Sequence, residues 1–157
     1  MNFTNLDACS RGLAVLALLL AAGTAAATDA PRKIEYLNSG KVLPATLPFS
    51  EAVRVGDTLY LSGMIGVTPG TMKVVPGGIG AEARQALHNM RTTLETHGYA
   101  MRDVVKCTVM LADIGEWTAF NEVYATFFAA PFPARSAFGT SGLALGARVE
   151  LECIAAR

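Results

Sequence analysis

The sequence predicts an α+β domain: a mixed sheet carrying two helices on one of its faces. Three observations lead there. Apolar residues recur at threes and fours in two stretches, residues 79–97 and 117–127, which is the period of an amphipathic helix. Residues 104–111 and 148–154 alternate apolar and polar side chains, the period of a strand with one buried face. The resulting order, strand, strand, helix, strand, helix, strand, strand, belongs to a sheet with its helices segregated to one side.

Residues 34–36 form an expected edge strand, and residues 39–48, with Pro44 and Pro48, a loop. Two short β-rich runs, 52–55 and 58–62, are separated only by Gly56-Asp57, a tight-hairpin signal. Gly63 follows directly, where the lack of a side chain permits close approach by a neighbour or ligand. In the first helix Ile79, Ala83, Leu87, Met90 and Leu94 make the apolar stripe and Gly98 ends it. His97 then faces the negative end of the helix dipole; both it and His88 read as surface or boundary residues. In the next strand Val105, Cys107, Val109 and Leu111 point one way and Lys106 and Thr108 the other. Asp113 with Glu116 gives a capping-box-like start to the second helix. Its apolar face is Trp117, Phe120, Tyr124 and Phe127, and Pro131 and Pro133 stop it. Residues 132–138 and 148–154 are the last strands, joined by the glycine-bearing loop 139–146. The sheet face away from the helices would then mix Val104 and Met110 with Lys106, Thr108, Glu150 and Glu152, a composition suited to a subunit interface.

The N-terminus reads differently. Arg11 precedes LAVLALLLAA at residues 13–22, and Ala25-Ala26-Ala27 supplies an A-x-A site. This is the pattern of a secretory signal peptide, so residues 1–27 are expected to be cleaved before Thr28, leaving 28–157 as a single domain in an exported, periplasmic setting. The alternative is a retained membrane anchor. After cleavage no later segment is long enough to span a membrane, and Cys9 leaves with the signal.

Composition narrows the chemistry. Thirteen Lys and Arg balance thirteen Asp and Glu, so no electrostatic footprint for DNA or RNA phosphates exists and nucleic acid is not the expected partner. Two histidines and three scattered cysteines lack the paired spacings of a zinc site, and no metal is expected. Ser/His/Asp nucleophile patterns and phosphate-binding loops are absent from the sequence.

What remains is Pro131-Phe132-Pro133-Ala134-Arg135-Ser136 and the strand from Val149 to Ala155. An arginine held by a stiff, proline-flanked backbone presents a planar fork suited to a carboxylate. Glu150 and Glu152 share a strand face, so an acid could stand near that ligand. The same residues could also make an interface ion pair.

Phe-Pro-Ala-Arg-Ser at 132–136, with Glu-x-Glu at 150–152, is joined by Pro-Phe-Ser-Glu-Ala at 48–52, Leu-Ser-Gly at 61–63, Val-Val-Lys-Cys-Thr-Val at 104–109 and Phe-Asn-Glu-Val-Tyr at 120–124. This combination resembles the RidA/YjgF family of reactive-intermediate deaminases over nearly all of residues 33–157. The resemblance implies a chorismate-mutase-like fold and a homotrimer with sites between adjacent subunits. It also implies cofactor-free hydrolysis of enamine or imine acids, such as 2-aminoacrylate or 2-iminopropanoate, to 2-keto acids and ammonia. By the same resemblance Arg135 binds the substrate carboxylate and Glu150 orients or activates water, while Ser62, Gly63, Asn121, Phe49 and Ala137 shape the pocket. Phe49 stands where the family usually has tyrosine, Met64 where it has glutamine, and Ala137 where it often has cysteine. The alternative function is a trimeric module that captures a small carboxylate without turning it over. In the family fold the strands of Cys107 and Cys153 are neighbours. Buried free thiols are their expected state, with a disulfide the alternative that export would allow.

Overall fold

A computed structural model describes residues 33–157; the expected signal segment 1–27 and its expected cleavage point lie outside the described residues. The strands are β1 (Ile34–Leu37), β2 (Ala52–Val55), β3 (Thr58–Leu61), β4 (Met64–Ile65), β5 (Val104–Leu111), β6 (Ala134–Gly139) and β7 (Val149–Ala156). The helices are α1 (Gly78–Thr96) and α2 (Trp117–Tyr124). One sheet runs in the order β1-β2-β3-β7-β5-β6, with β4 also pairing β7. All pairs are antiparallel except β5 with β6, and α2 lies in the connection between those two strands, as a parallel pair requires.

The β2–β3 hairpin turns at Gly56, whose φ of 59° lies in the left-handed region. The core lies between the sheet and the helices. Leu59, Leu61, Val109, Leu111, Val149 and Leu151 from the strands are buried with Ala83, Leu87, Met90 and Leu94 of α1 and Phe120 and Tyr124 of α2. Buried Asn89 fastens α1 to the sheet by donating to the carbonyls of Ile65 and Val67.

Four local expectations are corrected. In β5 the alternation breaks at its start: the register with β7 shifts between Val104 and Lys106, so Val104 is buried while Val105 is 48% exposed. This is the local effect of a β-bulge, which changes which side chains face the core. The second helix is shorter than its apolar run, and Trp117 is exposed. Its expected capping box does not form. Asp113 accepts from the Gly115 amide and Glu116 instead holds Arg148 through paired hydrogen bonds. Finally, Cys107 and Cys153, directly opposite each other in the β5–β7 ladder, are joined by a disulfide rather than left as thiols.

The other sheet face keeps its mixed character. The ladder places Tyr36, Tyr60, Ile154, Met110 and Phe138 on it among Lys106, Thr108, Glu150 and Glu152, and Tyr36, Tyr60 and Phe138 are exposed.

Candidate active site

Alternation along the strands decides where each candidate residue points. Arg135 is in register with Cys107, and Cys107 with Cys153. These three therefore face the helices in one row across β6, β5 and β7. Arg135 emerges at the open edge of the sheet, since β6 is an outermost strand. Its guanidinium lies over two rings of α2: Cζ is 4.5 Å from the Tyr124 centroid and 5.7 Å from that of Phe120. Asn121, Tyr124, Ala125, Phe132 and Pro133 line a cavity of about 380 Å³ with it. Among the described residues no carboxylate pairs with Arg135, so its fork is open to a ligand. Ala137 lies two residues on along β6, on the same face.

Glu150 is elsewhere. It is in register with Met110 and Ile65 and faces away from the helices, beside Gly63. A Cβ on Gly63 would overlap the Glu150 Oε1 and lie 2.8 Å from its Cδ. Gly63 does not have a positive φ, so here the missing side chain makes room for the carboxylate. Burial, with a smaller contribution from the like charge of Glu152, raises the Glu150 pKa above the usual carboxylate value. This is the desolvation that tunes a carboxylate toward base catalysis.

Ser62 directly precedes Gly63 and holds the segment that follows Phe49. The Ser62 amide donates to the Glu51 carbonyl and its hydroxyl to the Ser50 carbonyl, at 3.0 and 2.7 Å. The segment 49–51 is thereby held against Ser62-Gly63, and Phe49 is left exposed. Met64 turns inward, 1% exposed and opposite Leu151. It is core, so its departure from the family pattern does not alter the exposed wall.

The residues named from sequence therefore separate within a chain: Arg135, Asn121 and Ala137 lie on the helix side at the sheet edge, and Glu150 lies beside Gly63 on the other face. Arg135 and Glu150 are not brought together within the chain.

Sequence reasoning missed two contributors. Tyr124 looked like an ordinary core residue of an amphipathic stripe, yet it lies against the Arg135 guanidinium. Burial raises its pKa, and the nearby Arg135 charge opposes the shift. His97, read as a surface or boundary residue, sits half-buried at the C-cap of α1 and has a partner that the sequence did not reveal. Its Nε2 lies 2.6 Å from Oε1 of Glu51, a carboxylate only 3% exposed that also accepts from the Ser39 hydroxyl. This buried pair ties the end of α1 to the segment supporting Ser62. A histidine and an acid 46 residues apart carry no local signal of such pairing.

The mixed sheet with its helices on one face defines the fold class, and the comparisons with known proteins agree on the fold. The model for the family described as Endoribonuclease L-PSP matches residues 40–157. The chain is 44% identical over 119 residues to the goat 2-iminobutanoate/2-iminopropanoate deaminase, covering 76% of this chain and 87% of that one. Against a solved yeast structure, YEO7, it gives a TM-score of 0.75 at 36% identity, covering 80% of this chain and 99% of that one. The RidA structure from an Antarctic Psychrobacter gives a TM-score of 0.74 at 35% identity, with 78% and 99% covered. The chain belongs to the YjgF/RidA family.

Proposed function

We propose that this protein hydrolyses reactive 2-imino acids to 2-keto acids and ammonia, working as a homotrimer whose sites lie between neighbouring subunits. The observation that carries the reading is the ring-backed fork of Arg135, which opens into a surface cavity with no carboxylate paired to it among the described residues. The relatives named as deaminases of 2-iminobutanoate and 2-iminopropanoate support it.

The chemistry asks little of the protein. The imine carbon is already electrophilic, so fixing the carboxylate and aiming one water accounts for much of the acceleration. Arg135 grips the carboxylate through two parallel N–H donors. Glu150 accepts a proton as water adds to C2, the C=N bond becoming a C–N single bond on a carbinolamine. With the imine nitrogen protonated at the outset the carbinolamine is neutral; Glu150 returns its proton to that nitrogen, and ammonia leaves as the carbinolamine O–H proton passes back to Glu150 and the C=O bond forms. The overall conversion is imino acid plus water to keto acid plus ammonia.

Assembly follows from the placement of the two groups. Arg135 lies at a sheet edge on the helix side and Glu150 on the other face, and that face also exposes Tyr36, Tyr60 and Phe138. A neighbour of the same chain covering this apolar surface would bring its own Arg135 toward Glu150, closing a ring by a heterologous contact. The Cys107–Cys153 disulfide supports export, since such bonds persist in oxidising compartments.

The test is ammonia release from freshly generated 2-iminopropanoate, measured against the spontaneous rate. A saturable acceleration supports the deaminase. Saturable binding of the acid or its keto product with no added rate would make the protein a binding module instead.

A further inference from the structure

We propose that Tyr124 is a positioning residue for substrate capture, its ring face seating the Arg135 guanidinium so that the fork is aimed before substrate arrives. The inference rests on the deaminase reading of the Arg135 cavity. Arginine is long and flexible, and a fork that must meet a carboxylate bidentately needs its plane fixed. Hydrogen bonds usually do this, but among the described residues Arg135 makes none. What touches it is aromatic: Tyr124 at 4.5 Å and Phe120 at 5.7 Å from Cζ to ring centroid.

The rings are themselves held. Phe120 and Tyr124 are 5.6 Å apart, and Tyr124 and Phe128 are 4.6 Å apart, by centroid. The three side chains recur every four residues and are all buried. A cation stacked on this column is attracted to the ring face while its N–H edge remains free. Contact with rings, unlike an ion pair with a side-chain acid, leaves no carboxylate for the substrate to displace.

The Tyr124 hydroxyl is dispensable to this role. Among the described residues it is buried from solvent and makes no hydrogen bond, and an unmet buried hydroxyl is a cost rather than a contribution. Ring and hydroxyl can therefore be separated. Tyr124→Phe keeps the seat, whereas Tyr124→Leu removes it and keeps an apolar side chain.

With 2-iminopropanoate as substrate, Tyr124→Leu is expected to raise KM about tenfold, the scale of a partly buried cation–ring contact, with kcat within about twofold of the parent. Tyr124→Phe should match the parent in both constants and be at least as thermostable. In an Arg135→Ala background, Tyr124→Leu should add no further loss of capture, since the group it seats is gone. Independently of any destabilised variant, the Arg135 side-chain N–H protons of the parent and of Tyr124→Phe should resonate upfield of a free arginine through the ring current.

Parental KM in Tyr124→Leu, unshifted Arg135 protons, or a Tyr124→Phe defect as large as that of Tyr124→Leu would overturn the seat. If Arg135→Ala itself retained full activity, the deaminase site would fail and not merely its positioning. If Arg135→Ala lost activity while Tyr124→Leu kept its KM, only the role of Tyr124 would fall.

Discussion

Arg135 stands on an edge strand with its charge backed by rings and its donors free, whereas Glu150 stands on a strand inside the sheet, where a glycine makes room for it and burial works against its charge. The first arrangement suits recognition. A permanent cation with a fixed plane waits for an anion, and its value is orientation. The second suits chemistry. A carboxylate made less willing to ionise is a stronger proton acceptor once ionised. On the proposed reading the fold separates the two tasks by strand parity, because Arg135 and Glu150 project from opposite faces of one sheet.

The largest effects should come from the two groups themselves, and they should differ in kind. Arg135→Ala should abolish most capture, and Arg135→Lys should lose roughly a hundredfold in kcat/KM, because a point charge attracts a carboxylate without fixing its plane. Glu150→Gln should keep KM and reduce kcat by about a hundredfold or more, the range of lost general-base assistance. Steady-state kinetics on one imino acid would show the contrast. Equal effects on KM and kcat in both variants would break it.

The pH profile sharpens the same comparison. With the Glu150 pKa raised by burial, the acidic limb of kcat/KM in the parent should fall above the usual carboxylate range, with activity lost as pH drops through it. That limb should vanish from the residual activity of Glu150→Gln. For stability the sign is opposite: folded Glu150 holds its proton to higher pH than the unfolded chain does. Its contribution is therefore complete below the unfolded pKa and lost as pH rises through the folded one.

Gly63→Ala comes next. The added methyl can be accommodated only by moving the carboxylate. A fall in kcat of about tenfold or more is expected, while carboxylate capture by Arg135 stays intact. The smallest effect concerns the support of the wall. His97→Ala leaves buried Glu51 short of one partner, so stability should drop by about 1–3 kcal/mol in denaturant titration, with kcat nearly unchanged.

How much of this was legible beforehand follows the range of each interaction. The hairpin at Gly56, the ends of α1 and the β5–β7 strands are written in local period and turn chemistry, and they appear within a residue or two of their expected bounds. Arg135 was also visible, because a proline-flanked arginine before a strand is a local feature. Val105 was misassigned because period-two reasoning assumes an unbroken ladder, and the bulge is a property of two strands together. Tyr124 was hidden by the pattern that revealed α2: an apolar stripe says that a ring is buried but not which cation it supports. The Cys107–Cys153 bond and the His97–Glu51 pair depend on contacts between distant segments, which spacing along one chain does not encode.

The central claim, that one subunit's clamp works with another's acid, is tested most directly by mixing two inactive variants. Arg135→Ala keeps an intact Glu150 and Glu150→Gln keeps an intact Arg135. Co-assembled in equal amounts as randomly mixed cyclic trimers, they should regain about a quarter of the parental sites, those in which an intact clamp faces an intact acid. Ammonia release near that level, from two proteins each inactive alone, is the predicted result. Mixed trimers, verified by mass, that stay as inactive as either parent variant would contradict a site shared between subunits.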